Sequence, residues 1–75
     1  MRRKLYDSRL KRKLTILQTA EAVGLSKGGY KNIESGARNP SINIAFKLET
    51  FFNIPISELL AESEEENYFL NGTNL

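Results

Sequence analysis

Residues 15–40 read Thr15-Ile16-Leu17-Gln18-Thr19-Ala20-Glu21-Ala22-Val23-Gly24-Leu25-Ser26-Lys27-Gly28-Gly29-Tyr30-Lys31-Asn32-Ile33-Glu34-Ser35-Gly36-Ala37-Arg38-Asn39-Pro40. Thr15 is a good helix N-cap, because a threonine hydroxyl can accept one of the first free backbone N–H groups. The helix it opens, Ile16 to Val23, meets Gly24 where a left-handed C-terminal residue is wanted. Ser26 caps the next helix, which runs to about Ser35 and is closed by Gly36. Only Gly24-Leu25-Ser26 separates the two helices. Small Ala20 lets them approach closely, and Leu25 plugs the angle between them. That is a helix-turn-helix arrangement, whose second helix is shaped to lie in the major groove of DNA.

Working outward, the chain before Thr15 reads as a helix from about Arg3 to Lys13. Leu5, Arg9 and Arg12 share one face with Leu10 beside them, so its apolar stripe is thin. After Gly36, Asn39 precedes Pro40 and is biased away from helix, which makes residues 36–40 a loop. Ser41 caps a helix from Ile42 to Phe52, with Ile42, Ala45, Leu48 and Phe52 as its buried stripe. Asn53 stops it. Pro55 opens a short fifth helix to about Ala61, its φ suiting a first helical turn. The expected fold is all-α, five helices over residues 1–61. The tail, residues 62–75, is acidic from Glu62 to Glu66 and then aromatic through Asn67-Tyr68-Phe69-Leu70. Three states stay open for it: disorder, a strand folded back, or packing on a second subunit.

A chain of 75 residues holds one domain. It has no cysteine and no histidine, so no disulfide, thiolate metal site or imidazole base is available. Nothing else assembles a nucleophile and base; an enzyme is excluded, and neither cofactor nor metal is expected. No apolar run is long enough to span a membrane. The basic N-terminus lacks the apolar stretch of a signal peptide, so a cytoplasmic protein is expected. The net charge of +2 conceals an asymmetry. Residues 1–38 carry ten Lys/Arg against three Asp/Glu, whereas residues 39–75 carry one Lys against six Glu. A basic half on a small domain is the electrostatic footprint of a phosphate-backbone binder.

The ordered set of features resembles the Cro/cI-type helix-turn-helix family of phage repressors and bacterial regulators. Thr15 matches at the first cap and Ala20 within the first motif helix. Gly24-Leu25-Ser26 matches in the turn, and Ile33-Glu34, Gly36 and Arg38-Asn39-Pro40-Ser41 match after it. Arg9 and Leu14 extend the likeness upstream, and Pro55-Ile56-Ser57-Glu58-Leu59-Leu60 extends it downstream. The resemblance implies a five-helix, lambda-repressor-like domain whose third helix reads DNA. Carried over, Lys27, Gly28 and Asn32 face the bases. Lysine can donate to guanine, and asparagine can pair bidentately with adenine. Thr15, Gly29, Lys31, Ser35 and Arg38 are then backbone positions, Thr15 at a helix N-terminus. Tyr30 and Ile33 point into the core, with the Tyr30 hydroxyl at the surface. Arg9 and Glu34 form a buried ion pair that ties the scaffold to the reading helix.

Three departures from the family stand out. Ile16 replaces a glutamine that in many members reaches a phosphate. Gly28 and Gly29 remove two side chains from the reading edge, so shape readout gains weight. The glycines and the acidic C-terminal half also motivate an alternative: an antitoxin-like or antirepressor protein-interaction module on the same scaffold. The first reading expects a homodimer on a pseudo-palindromic operator in double-stranded DNA, as repressor or Cro/controller-like regulator. One copy reads too few base pairs to select a site. Phe52 and Leu59 are assigned to the core, and Ile54, Ile56 and Leu60 to the dimer interface, with Tyr68 and Phe69 as additions.

Overall fold

The computed structural model describes residues 1–61. Five helices follow in order: α1 (Arg3–Lys11), α2 (Ile16–Ala22), α3 (Lys27–Ser35), α4 (Ile42–Phe52) and α5 (Ile56–Leu59). The all-α architecture is the expected one. The tail's acidic and aromatic segments, with Tyr68 and Phe69, lie outside the described residues.

The helix ends differ from the sequence reading for local reasons. Lys13 adopts φ +57°, and the N–H groups of Lys13 and Leu14 fold back onto the carbonyls of Leu10 and Arg9 at 2.8 and 3.2 Å. That closes α1 at Lys11. Val23 leaves helical geometry at φ −107° and becomes the C-cap of α2. Pro55 stands before α5 instead of inside it, with φ −54° and ψ 138°. The pyrrolidine ring sets φ but leaves ψ free to be extended. α5 also stops at Leu59, short of Ala61.

The starts are capped as their residues dictate. Thr15 Oγ1 accepts from the Gln18 N–H at 3.0 Å, and Gln18 Oε1 accepts from the Thr15 N–H at 2.8 Å, a reciprocal capping box. Ser26 Oγ accepts from the Gly29 N–H at 3.0 Å, and Ser41 Oγ from the Ile44 N–H at 3.3 Å. Gly24 and Gly36 take φ +77° and +90° at the ends of α2 and α3, which only glycine adopts without steric cost.

Leu5, Ala20, Val23, Tyr30, Ile33, Leu48, Phe52 and Leu59 form the core, with Ile16, Leu25, Ile44, Phe51, Ile54, Ile56 and Leu60 packed around it. α2 packs on α3, α1 lies against α3 and α5, and α4 meets α5. The α4 stripe needs one correction. Leu48 and Phe52 are buried, but Ile42 is 70% exposed and Ile44 packs inward in its place. The first turn of α4 overhangs the edge of the core. The end of α1 is fastened to the end of α4 by Arg12. Its guanidinium lies 5.3 Å from the Phe51 and Phe52 rings and donates to the Phe51 carbonyl at 2.5 Å.

Candidate nucleic-acid interface

α3 has two chemically distinct sides. Tyr30, Ile33 and Glu34 are buried on one, whereas Lys27, Gly28, Lys31 and Asn32 are exposed on the other. The three expected base-facing positions therefore share a solvent-facing edge. The Ser26 cap fixes where that edge begins.

The adjacent glycines have different reasons. A β-carbon at Gly28 would meet nothing within 4 Å, so packing does not require glycine there. At Gly29 it would lie 3.1 Å from Ser26 Oγ and 3.8 Å from an Arg38 guanidinium nitrogen. Gly29 is buried, and its N–H is taken by Ser26. A side chain there would need the Ser26 hydroxyl to give way slightly, while the Arg38 distance is ordinary contact.

The remaining backbone candidates lie around this edge. Thr15 and Lys31 are exposed; the Thr15 hydroxyl caps α2 and keeps its own proton as a donor. Ser35 is engaged locally, donating to the Asn32 carbonyl at 3.0 Å and accepting from the Ala37 N–H at 3.4 Å. Arg38 is exposed. Its N–H donates to the Asn32 carbonyl at 3.1 Å, while its guanidinium reaches back toward Gly29 at the start of α3. Ile54, Ile56 and Leu60 are half-buried against the core within one copy of the chain.

Arg9 and Glu34 form the expected pair in bidentate geometry. Arg9 Nε meets Glu34 Oε2 at 2.9 Å and Nη2 meets Oε1 at 3.0 Å, with side chains 8% and 7% exposed. Arg9 Nη1 also donates to the Leu14 carbonyl at 2.8 Å. The hydrogen bonds that Arg9 donates to Glu34 raise the Arg9 pKa above its ordinary value, against the opposing effect of burial. Tyr30 corrects an expectation: it is wholly buried, and its hydroxyl has no hydrogen-bond partner among the described residues. Burial pushes this phenol well above the usual tyrosine range, and the Glu34 carboxylate adds to the shift. Ile16, which replaces the family's glutamine, packs inward. It lines a shallow groove with Tyr6, Arg9 and Glu34.

One residue escaped sequence reading. Arg2 counted as part of the basic half, yet it is only 5% exposed. Its guanidinium donates to the carbonyls of Ile33 (2.6 Å), Arg38 (2.8 Å) and Leu60 (3.1 Å), and to Asn39 Oδ1 (2.6 Å). No pattern marks an arginine next to a chain terminus as a buried anchor. Arg2 and Arg9 are buried and spend their hydrogen bonds inside the domain, so fewer cations face outward than the charge count suggests. Among the described residues no acidic cluster could hold a metal ion, and no helix is long and apolar enough to cross a membrane.

The family model described as helix-turn-helix matches residues 5–59. The chain belongs to that helix-turn-helix family. The resemblance to Cro/cI-type regulators drawn from the turn and its flanks is upheld. The chain is 34% identical over 61 residues to the cryptic phage CTXphi transcriptional repressor RstR of Vibrio cholerae, which covers 81% of this chain and 55% of that protein. It thus spans about half of RstR. An uncharacterized HTH-type transcriptional regulator of Archaeoglobus fulgidus is 32% identical over 66 residues, covering 88% of this chain and 93% of that one. The HTH-type transcriptional regulator AnsR of Bacillus subtilis is 30% identical over 63 residues, covering 84% and 54% of the two chains. No solved structure gives a significant match. The relatives that share this helix-turn-helix are by name transcriptional regulators, one of them a repressor.

Proposed function

We propose that this protein binds a pseudo-palindromic operator in double-stranded DNA as a homodimer and acts as a repressor or Cro/controller-like regulator. The observation that carries the reading is the exposed edge of α3. Lys27, Gly28 and Asn32 lie on it, held by a capped turn behind and a buried Arg9–Glu34 pair beneath. Lys27 and Asn32 read bases. Gly28 lets the α3 backbone approach the groove floor, since nothing else occupies that space. Lys31, Arg38 and Thr15 hold the phosphates, and Ser35 joins them only by releasing its bond to the Asn32 carbonyl. A repressor among the relatives supports repression, and the cytoplasm is where such a protein meets DNA.

Selection of bound duplexes from a random DNA pool tests this directly. The expected result is an enriched sequence with two half-sites about 10 base pairs apart, one turn of B-DNA. Log affinity should fall linearly with log salt, by about 0.9 for each phosphate neutralised. A pool that yields no enriched duplex, or a single unrepeated half-site, overturns the sequence-specific dimer.

A further inference from the structure

We infer that Arg2 is a positioning residue for DNA binding, holding the loop that presents Arg38 to the phosphate backbone. The inference rests on the phosphate role proposed for Arg38. Residues 36–40 form no regular element between α3 and α4, and Arg38 and Asn39 are exposed. A loop of this kind is free to spread over many conformations unless its backbone groups are held. Arg2 holds them. One guanidinium nitrogen donates both to the Arg38 carbonyl at 2.8 Å and to the Ile33 carbonyl at 2.6 Å. The other terminal nitrogen donates to Asn39 Oδ1 at 2.6 Å, and Nε reaches the Leu60 carbonyl at 3.1 Å. The Arg2 N–H completes the anchor on the Glu34 carbonyl at 2.9 Å.

The acceptors explain why a cation can be buried here. Ile33 and Glu34 contribute carbonyls from the last turn of α3, and Leu60 contributes the one at the end of α5. Helix C-termini leave such carbonyls unsatisfied and carry partial negative charge. A planar guanidinium with five donors can reach several of them at once, which a lysine ammonium cannot do in the same geometry. The result is a rigid strut from α3 to the loop. Arg38 then extends from a held backbone, and its guanidinium needs less ordering when it meets a phosphate. Arg2, being buried, makes no phosphate contact itself.

The test uses the full chain and a duplex of mixed sequence, because phosphate contacts do not depend on the operator. Arg38→Ala should weaken binding and lower the salt slope by about 0.9. Arg2→Met, confirmed folded by circular dichroism, should weaken binding roughly fivefold and lower the slope in the same sense, since it releases Arg38. In the Arg38→Ala background the same change should cost less than about twofold, as residues acting through one contact are non-additive. A purely structural role would leave the slope unchanged and multiply with Arg38→Ala; that result overturns the inference. Should Arg2→Met fail to fold, Asn39→Ala removes one anchor and keeps the arginine. It should show a smaller loss with the same non-additivity, and unchanged affinity and slope for it overturn the inference. If Arg38→Ala alone changes nothing, the phosphate contact falls and the inference falls with it. If Arg38 matters and Arg2 does not, only the inference falls.

Discussion

At the scale of single residues, the proposed reading edge makes separable predictions. Asn32 is exposed, so its replacement leaves the fold alone. Asn32→Ala should cost about 1–3 kcal/mol on the selected site and little on random DNA. Equal losses on both, measured by titration of the two duplexes, would make Asn32 a positioning group that reads nothing. Gly28→Ala meets open space and should raise the unfolding midpoint slightly, because alanine is favoured over glycine in a helix by up to about 1 kcal/mol. If it also weakens binding in the folded protein, close backbone approach is the reason for the glycine. That Lys27, Gly28 and Asn32 share an exposed edge of α3 was legible from the family likeness. The difference between Gly28 and Gly29 was not, since it depends on where Ser26 and Arg38 place their atoms.

At the scale of elements, the inner side of α3 carries the mechanical load. Glu34→Ala would strand a buried Arg9 and should destabilise by about 3–5 kcal/mol, whereas exposed Glu21→Ala should change stability by less than about 0.5 kcal/mol. Comparable urea midpoints for the two variants would contradict the buried pair. Tyr30 predicts a pH dependence. Its pKa is raised in the folded state, so the unfolded chain releases the phenolic proton first as pH rises. Stability from this group is full below the ordinary tyrosine value of about 10 and is lost above it. Tyr30→Phe removes a buried hydroxyl that lies beside the Glu34 carboxylate and should change stability at pH 7 by no more than about 1 kcal/mol. It should also flatten the alkaline fall in thermal midpoint; an unaltered alkaline limb would show that Tyr30 titrates normally. The caps and turns of these elements could be read from Thr15, Gly24, Ser26, Gly36 and Ser41, because each acts within three residues. The left-handed Lys13 could not, as no local preference of lysine marks it.

At the scale of the whole molecule, the proposed dimer needs a face that can pair with a second copy. Ile54, Ile56 and Leu60 are half-buried on their own core, so each has only part of its surface to offer a partner. Ile42 and Phe46, on α4, are 70% and 56% exposed. Sedimentation at micromolar concentration should show a dimer of the 8.5 kDa chain. Ile56→Lys should return it to a monomer and abolish operator binding while leaving weak binding to random DNA. If Phe46→Lys does this and Ile56→Lys does not, the interface lies on α4. A wild-type monomer that still selects paired half-sites would remove the dimer altogether.

Sequence alone determined the helix-turn-helix and its family. Those depend on short-range rules: a hydroxyl capping an N–H three residues on, a glycine taking positive φ, an apolar residue recurring each turn. It also determined the Arg9–Glu34 pair, through the family likeness. Only the tertiary structure decided that Arg2 is an anchor, that Ile42 faces outward and that the Tyr30 hydroxyl is sealed in. Each of these depends on atoms brought together from distant points in the chain. Arg2 meets Leu60 across 58 residues, and no periodicity within either segment encodes that meeting.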